Sequence, residues 1–156
     1  MAAYLLSTRS LLDRLSGKPT YAIYDWLKNQ KTEETEVYVS AISIGFAKYS
    51  IGGIQDQLER ERYSSALDKI VANLRKGAVL PVDKKMAEAW AKVLGVSTRP
   101  RGYESGRKGS PEVELSDAEL LVVTAALAKN LTLVEPEQPY HADFAGHGLT
   151  VETLGE

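Results

Sequence analysis

Short runs of consecutive apolar residues alternate along this chain with longer stretches in which apolar residues recur every three or four positions. The first run, Ala3-Tyr4-Leu5-Leu6, reads as a buried strand. Ser7 then stands where a helix N-cap belongs, ahead of Leu11, Leu12 and Leu15, and Gly17 closes that helix. A second helix opens at Pro19-Thr20, carries Ile23, Trp26 and Leu27, and ends at Asn29-Gln30-Lys31. Glu36 to Ser40 is rich in β-favouring residues and predicts a strand. Ile42 to Tyr49 predicts a helix that runs into Gly52-Gly53. A long helix follows, with Leu58, Tyr63, Ala66, Leu67, Ile70, Val71 and Leu74 as one apolar stripe and Gly77 as its stop.

Ala78 to Val82 reads as a further strand, and Asp83 caps a helix bearing Met86, Ala87, Trp90, Val93 and Leu94. Ser116-Asp117-Ala118-Glu119 is a capping box before an apolar helix from Leu120 to Lys129. Asn130 suits a left-handed cap, Leu131 to Val134 is a buried strand, and a polar loop leads to a last strand near Thr150 to Leu154. Strands alternating with helices predict an α/β fold, a central parallel sheet of about five strands covered by helices on both faces. Sites in such sheets form beyond the carboxyl ends of the strands. The residues following Leu6, Ser40 and Val134, and those just after Ser116, are therefore expected to converge.

One segment breaks the pattern. Residues 97–111 hold three glycines and two prolines together with Arg99, Arg101, Arg107 and Lys108, and predict a flexible basic loop. Elsewhere there is neither a repeat nor a linker, and 156 residues suit a single domain. The formal net charge of -2 offers no global attraction to nucleic acid, so an RNA contact would need a local basic patch such as this loop. The absence of cysteine excludes disulfides and thiolate metal sites. Met1 to Leu6 lacks the charged flank and length of a signal peptide, and no apolar run reaches the ~20 residues of a membrane span. A cytoplasmic protein without membrane partners is expected.

The converging segments carry a resemblance. Tyr4-Leu5-Leu6-Ser7-Thr8-Arg9-Ser10-Leu11 is similar to the opening of VapC-like PIN domains, an apolar strand followed by Asp-Thr-Asn. Val37 to Phe46 resembles their second block, which ends in Gly-Glu, and Val79 to Asp83 with the Ala87, Trp90 helix matches a third. Glu119 to Leu127, closed by Leu131 to Val134, resembles the fourth, an Asp followed by an alanine-rich helix and a strand. The blocks lie in order and cover almost the whole chain apart from the basic loop. The resemblance implies a PIN-like fold over residues 1–156. It also implies a metal-dependent endoribonuclease, the toxin half of a toxin–antitoxin pair and a homodimer. Its chemistry needs three or four carboxylates in one cleft to hold Mg²⁺ or Mn²⁺.

Carried over onto this chain, that acidic set is degenerate. The first position is Ser7, whose hydroxyl brings no charge and which serves as an N-cap. Two residues on, Arg9 puts a cation where the family has Asn, able to hold a phosphate but not to activate water. The second acid is Phe46, expected to fill the former cleft. The third falls on Glu119, with Asp117 as an alternative, and the fourth on Glu137, with Asp143 further along. If a metal site survives, Asp117, Glu119, Glu137 and Asp143 are its ligands. His141 and His147 are expected to be solvated, and Glu135, Glu137 and Asp143 to form an acidic surface loop.

Three functions stand open. The leading one is a PIN-fold protein that binds an antitoxin-like protein, a second copy or RNA without cleavage and without a cofactor. The next is a ribonuclease toxin with Mg²⁺ or Mn²⁺ on the shifted acids. The last is an oligomeric assembly component. RNA, where bound, would meet Arg9, Arg99, Arg101, Arg107 and Lys108, with Tyr103 stacking on a base.

Overall fold

The computed structural model describes residues 2–31, 33–96 and 99–155. Five parallel strands make one sheet: β1 (Ala2–Leu6), β2 (Thr35–Ser40), β3 (Val79–Leu80), β6 (Thr132–Pro136) and β7 (Thr150–Leu154). Their spatial order is β3-β2-β1-β6-β7. The helices are α1 (Thr8–Leu15), α2 (Ala22–Lys28), α3 (Ala41–Gly52), α4 (Gln57–Asn73), α5 (Lys84–Leu94), α6 (Asp117–Ala128) and α7 (Tyr140–Ala145). Two further strands, β4 (Arg101–Tyr103) and β5 (Glu112–Glu114), pair antiparallel outside the sheet. The α/β expectation, a five-stranded parallel sheet between helices, is met.

The alternation of side chains along the central strand divides the interior in two. Leu5 points into a core built with Leu133, Val93, Val123, Tyr140 and Phe144, the side covered by α5, α6 and α7. Its neighbour Leu6 points the other way, into a core with Leu11, Ile23, Val39, Ala47 and Leu67 beneath the first four helices. The middles of β1 and β6 are covered on both faces, and their sequences there are apolar runs, whereas β7 at the edge is largely exposed and mixed. The chain moves outward from β1 through β2 to β3, then crosses back to build β6 and β7 on the other side. The direction therefore reverses between β1 and β6, and a crevice opens beyond their carboxyl ends.

Local signals in the sequence set the element ends. Ser7 caps α1 by accepting from the Ser10 N–H at 3.1 Å, and Asp83 caps α5 by accepting from the Met86 N–H at 2.9 Å. Ser116 and Glu119 complete the predicted capping box of α6. Asn130 takes the left-handed conformation at φ 52° that ends this helix before β6.

Four local expectations need correction. Residues 99–111 are not structureless, since Arg101–Tyr103 pairs with Glu112–Glu114, while Ser97 and Thr98 lie outside the described residues. The polar loop before the last strand contains α7, whose Tyr140 and Phe144 are buried four residues apart. Leu58 does not join the stripe of α4; it sits in the first turn and is 79% exposed. Glu135 belongs to β6 and is buried, not part of a surface loop. Among the described residues no helix is long and apolar enough to cross a membrane.

Leu5 is fully buried at the middle of the sheet. Replacing it by alanine is expected to cost about 2–5 kcal/mol, because the surrounding strands cannot close the cavity. Urea denaturation of Leu5→Ala beside the unaltered protein checks this.

Candidate functional site

Ser7 follows β1 directly, and Glu135 lies near the end of β6, so the crevice brings these two side chains together. Around them is a cavity of about 50 Å³. Arg9 enters it from α1, Glu119, Val122 and Val123 from α6, Gln138 and Tyr140 from the turn into α7, and Tyr103 and Gly106 from the hairpin. This volume holds a few waters and nothing larger.

Glu135 is the centre of the site. It is 5% exposed and accepts from the Tyr140 hydroxyl and from His141 Nε2 at 2.6 Å. The Gln138 backbone N–H points at His141 Nδ1 at 3.3 Å. That donor makes Nδ1 the acceptor and leaves the ring proton on Nε2, facing the carboxylate. Burial pushes the Glu135 carboxyl above its ordinary value, and the nearby Glu119 charge adds to this. Hydrogen bonds from His141 and Ser7 pull the other way without reversing the direction.

A second charged group borders the first. Asp13 of α1 is 5% exposed and accepts from an Arg107 nitrogen at 2.9 Å, while Arg9 Nε lies 3.3 Å from the same oxygen. The Arg9 approach lacks hydrogen-bond alignment and is a charge contact only. Arg107 also lies over the Tyr21 ring, 4.2 Å from its centre. Burial raises the Asp13 carboxyl, and the two guanidinium groups oppose that rise.

Of the residues singled out from sequence, Ser7, Arg9, Tyr103, Glu119 and Glu135 line the cavity. Glu119 spends its carboxylate on the α6 cap, accepting from Ser116 Oγ at 3.0 Å. Asp117 faces a different depression beside Arg99 and Glu114. Glu137 is exposed and pairs with Lys108 at 3.5 Å, and Asp143 is exposed on α7. Phe46 does not fill the cleft: it is 44% exposed on α3, its ring tilted against Tyr49. His141 is not solvated but holds Glu135, whereas His147 is exposed.

The basic residues of the hairpin segment do not form an open patch. Arg99 pairs with Glu114, Arg101 with Glu112, Arg107 with Asp13 and Lys108 with Glu137. Each of these cations has a carboxylate within salt-bridge distance.

Residues that carry the site but drew no attention in the sequence are Asp13, Gln138 and Tyr140, together with Glu135 in its buried role. Asp13 lies between Leu12 and Leu15 on a helix whose apolar face is otherwise regular, and four residues after Arg9. Glu135 keeps the alternation of Leu131 and Leu133, which places it inward. Both signals were available.

Among the described residues no three of His, Cys, Asp and Glu are placed to hold a metal ion. The cleft carboxylates are already engaged, Glu135 by Tyr140 and His141 and Glu119 by its helix cap. Arg9 lines the same space. The residues present do not fit the Mg²⁺ or Mn²⁺ cage that the resemblance implies.

By sequence, no protein-family model and no curated protein matches the chain. By structure, it is similar to a chain of VapBC2 from Rickettsia felis, crystallised with a DNA fragment from the promoter. That match has a TM-score of 0.71 and 19% identity, and covers 98% of this chain and 99% of the other. FitAcB from Neisseria gonorrhoeae matches with a TM-score of 0.70 and 20% identity over 95% of both chains. VapBC-5 of Mycobacterium tuberculosis, of the VapBC family of toxin–antitoxin systems, matches at 0.60 and 17% over 100% of both. This is a VapC-like PIN fold. At these identities the likeness is one of backbone, and the side chains of the cleft speak for themselves.

Because burial favours the protonated Glu135, the folded state holds its proton more tightly than the unfolded chain. The resulting stabilisation is fully present below the ordinary carboxyl value of 4.5 and is lost as pH rises through the higher folded value. Glu135→Gln, always neutral, is expected to gain stability relative to the unaltered protein as pH climbs through that window. Thermal midpoints of the two proteins from pH 4 to pH 8 test it; a constant or shrinking difference refutes the assignment.

Proposed function

We propose that this chain is a PIN-fold protein of the toxin–antitoxin kind that works by binding a protein partner and does not cut RNA. The observation that carries the reading is the engagement of Glu135 by Tyr140 and His141 with Arg9 beside it. Both donors converge on Glu135 Oε1, so a metal ion would have to displace them to use that oxygen. Phosphodiester hydrolysis in a PIN cleft needs that ion to generate hydroxide and steady the developing charge. Without it, Ser7 and Glu119 have no means to activate water, and no cofactor is assigned.

The partner we infer is an antitoxin-like protein. Similar structures are toxin–antitoxin complexes from Mycobacterium tuberculosis and Klebsiella pneumoniae, which supports a partner of that class. This chain supplies a groove of about 180 Å³ between α1, α3 and α4, lined by Leu12, Leu15, Ala47, Ile51, Ile54 and Tyr63. Apolar side chains from an amphipathic segment would bury against it. A homodimer in the cytoplasm goes with the same reading, and the exposed Phe46 and Tyr49 of α3 offer apolar surface for a second copy. A strictly monomeric species by light scattering across micromolar concentrations removes the dimer.

Cleavage of mixed single-stranded RNA is the decisive test, run with Mn²⁺, with Mg²⁺ and with chelator. No metal-dependent cutting is expected. Cutting that needs metal and disappears in Glu119→Gln overturns the reading and makes the chain a ribonuclease with a rebuilt site.

A further inference from the structure

We propose that the β4–β5 hairpin is a lid over the cleft, pinned at its base and latched at its tip by Arg107 on Asp13 and by the side chain of Gln138. This does not rest on whether the cleft binds or cuts RNA.

The hairpin has little stability of its own. Each strand is three residues long, all of β5 is exposed, and a two-stranded ribbon is marginal in water. Its position must therefore come from contacts with the domain. The base is fixed: the Leu115 N–H donates to the Pro100 carbonyl at 2.9 Å, and both residues are buried. Gly102 packs there with no room for a side chain, since a Cβ would lie 2.9 Å from Leu115 Cδ2 and 3.1 Å from Gln138 Oε1.

Towards the tip, one buried amide spans the lid. Gln138, 6% exposed, accepts from the Tyr103 N–H at 2.9 Å and donates to the Gly106 carbonyl at 2.9 Å. Gly106, at φ +75°, lies against the Arg9 side chain, where a Cβ would come within 2.7 Å of Arg9 Cδ. The next residue, Arg107, reaches across to Asp13 and Tyr21. Tyr103 and Gly106 thus roof the small cavity whose other walls include Ser7, Glu119 and Glu135.

The contacts differ in strength, and this defines the latch. The pairs of Arg99, Arg101 and Lys108 are largely exposed and contribute little. Arg107–Asp13 is the one lid pair with a carboxylate only 7% exposed, where a charge-assisted bond is stronger. Losing it, or losing the two Gln138 hydrogen bonds, frees the tip while the Pro100–Leu115 base and both cores stay intact. The lid can then open by local rearrangement, without unfolding of the domain. Opening uncovers the acidic cleft and releases Arg107 into solvent.

The chain has no cysteine, so Ser7→Cys places a single thiol beneath the lid. Its alkylation by iodoacetamide is expected to be slow. Adding Arg107→Ala or Gln138→Ala is expected to speed it by about tenfold or more. Lys108→Ala, which breaks only an exposed pair, is expected to leave the rate unchanged. Removing a nearby cation raises a thiol's pKa and slows alkylation, so acceleration in Arg107→Ala reports access. Hydrogen exchange at the Tyr103 amide, in chains that keep Ser7, should accelerate with the same two variants. Alkylation and exchange rates that ignore both latch substitutions, or that rise equally with Lys108→Ala, overturn the proposal. So does acceleration that merely follows global unfolding by circular dichroism. If Ser7→Cys does not fold, the exchange measurement decides alone.

Discussion

Glu135 is a carboxylate with almost no water around it, held near the end of a strand that pairs with the central strand of the sheet. An ionised group in that place is costly unless it is hydrogen-bonded, and its surroundings are arranged to meet this demand. Tyr140 and His141 reach it from the start of α7, and the Gln138 backbone orients the histidine. The turn at 137–139 and the helix after it hold these donors in place, with Tyr140 and Phe144 packed into the core beneath. Both donors converge on one oxygen of the carboxylate, Oε1. One interaction thus ties together the start of α7, its buried tyrosine and the poor fit of the cleft to a metal.

The charge around the crevice follows from that centre. Burial raises the carboxyls of both Glu135 and Asp13, and Arg9 and Arg107 are the cations placed around them. Of the two guanidinium groups only Arg107 comes from the hairpin, so it meets Asp13 only while the hairpin lies closed. Electrostatics and access are coupled through a single guanidinium. The remaining cations of the hairpin are matched by exposed carboxylates and leave the net charge of the chain unfocused.

Much of the fold was legible because burial on both faces makes the central strands apolar, and the helices between them carry apolar faces. Caps at Ser7, Asp83 and Ser116 were equally legible, since a side-chain oxygen before an apolar stripe has few other uses. α7 escaped notice because six residues hold only one apolar pair at helical spacing, too little for periodicity to register. The hairpin escaped because its glycines and prolines signal a loop, whereas its order comes from Gln138 and Asp13, far away in sequence. The site was legible in location and not in membership. Strand ends predicted where residues converge, but which carboxylates are buried depends on tertiary partners. Phe46 shows the limit of reasoning from resemblance: a position can align while its side chain turns towards solvent.

Carboxylates confined in one cleft repel each other, and a fold can meet that repulsion in two ways. It can retain enough ligands to keep an ion, or it can bring in cations of its own. An ion in such a cleft needs open coordination sites and tight octahedral geometry, and a longer Glu in place of Asp shifts the oxygen by about one methylene. A guanidinium needs neither, is always charged, and tolerates several orientations towards a carboxylate. Arg9 and Arg107 follow the second route, through Asp13 instead of the cleft acids themselves. On the proposed reading the exchange is not neutral for function. An ion at the floor of the cleft leaves it open for a phosphodiester. A guanidinium supplied by a hairpin closes the cleft with the chain that carries it. Stability of the crevice and access to it are then opposed, which suits a protein whose working surface lies on its helices.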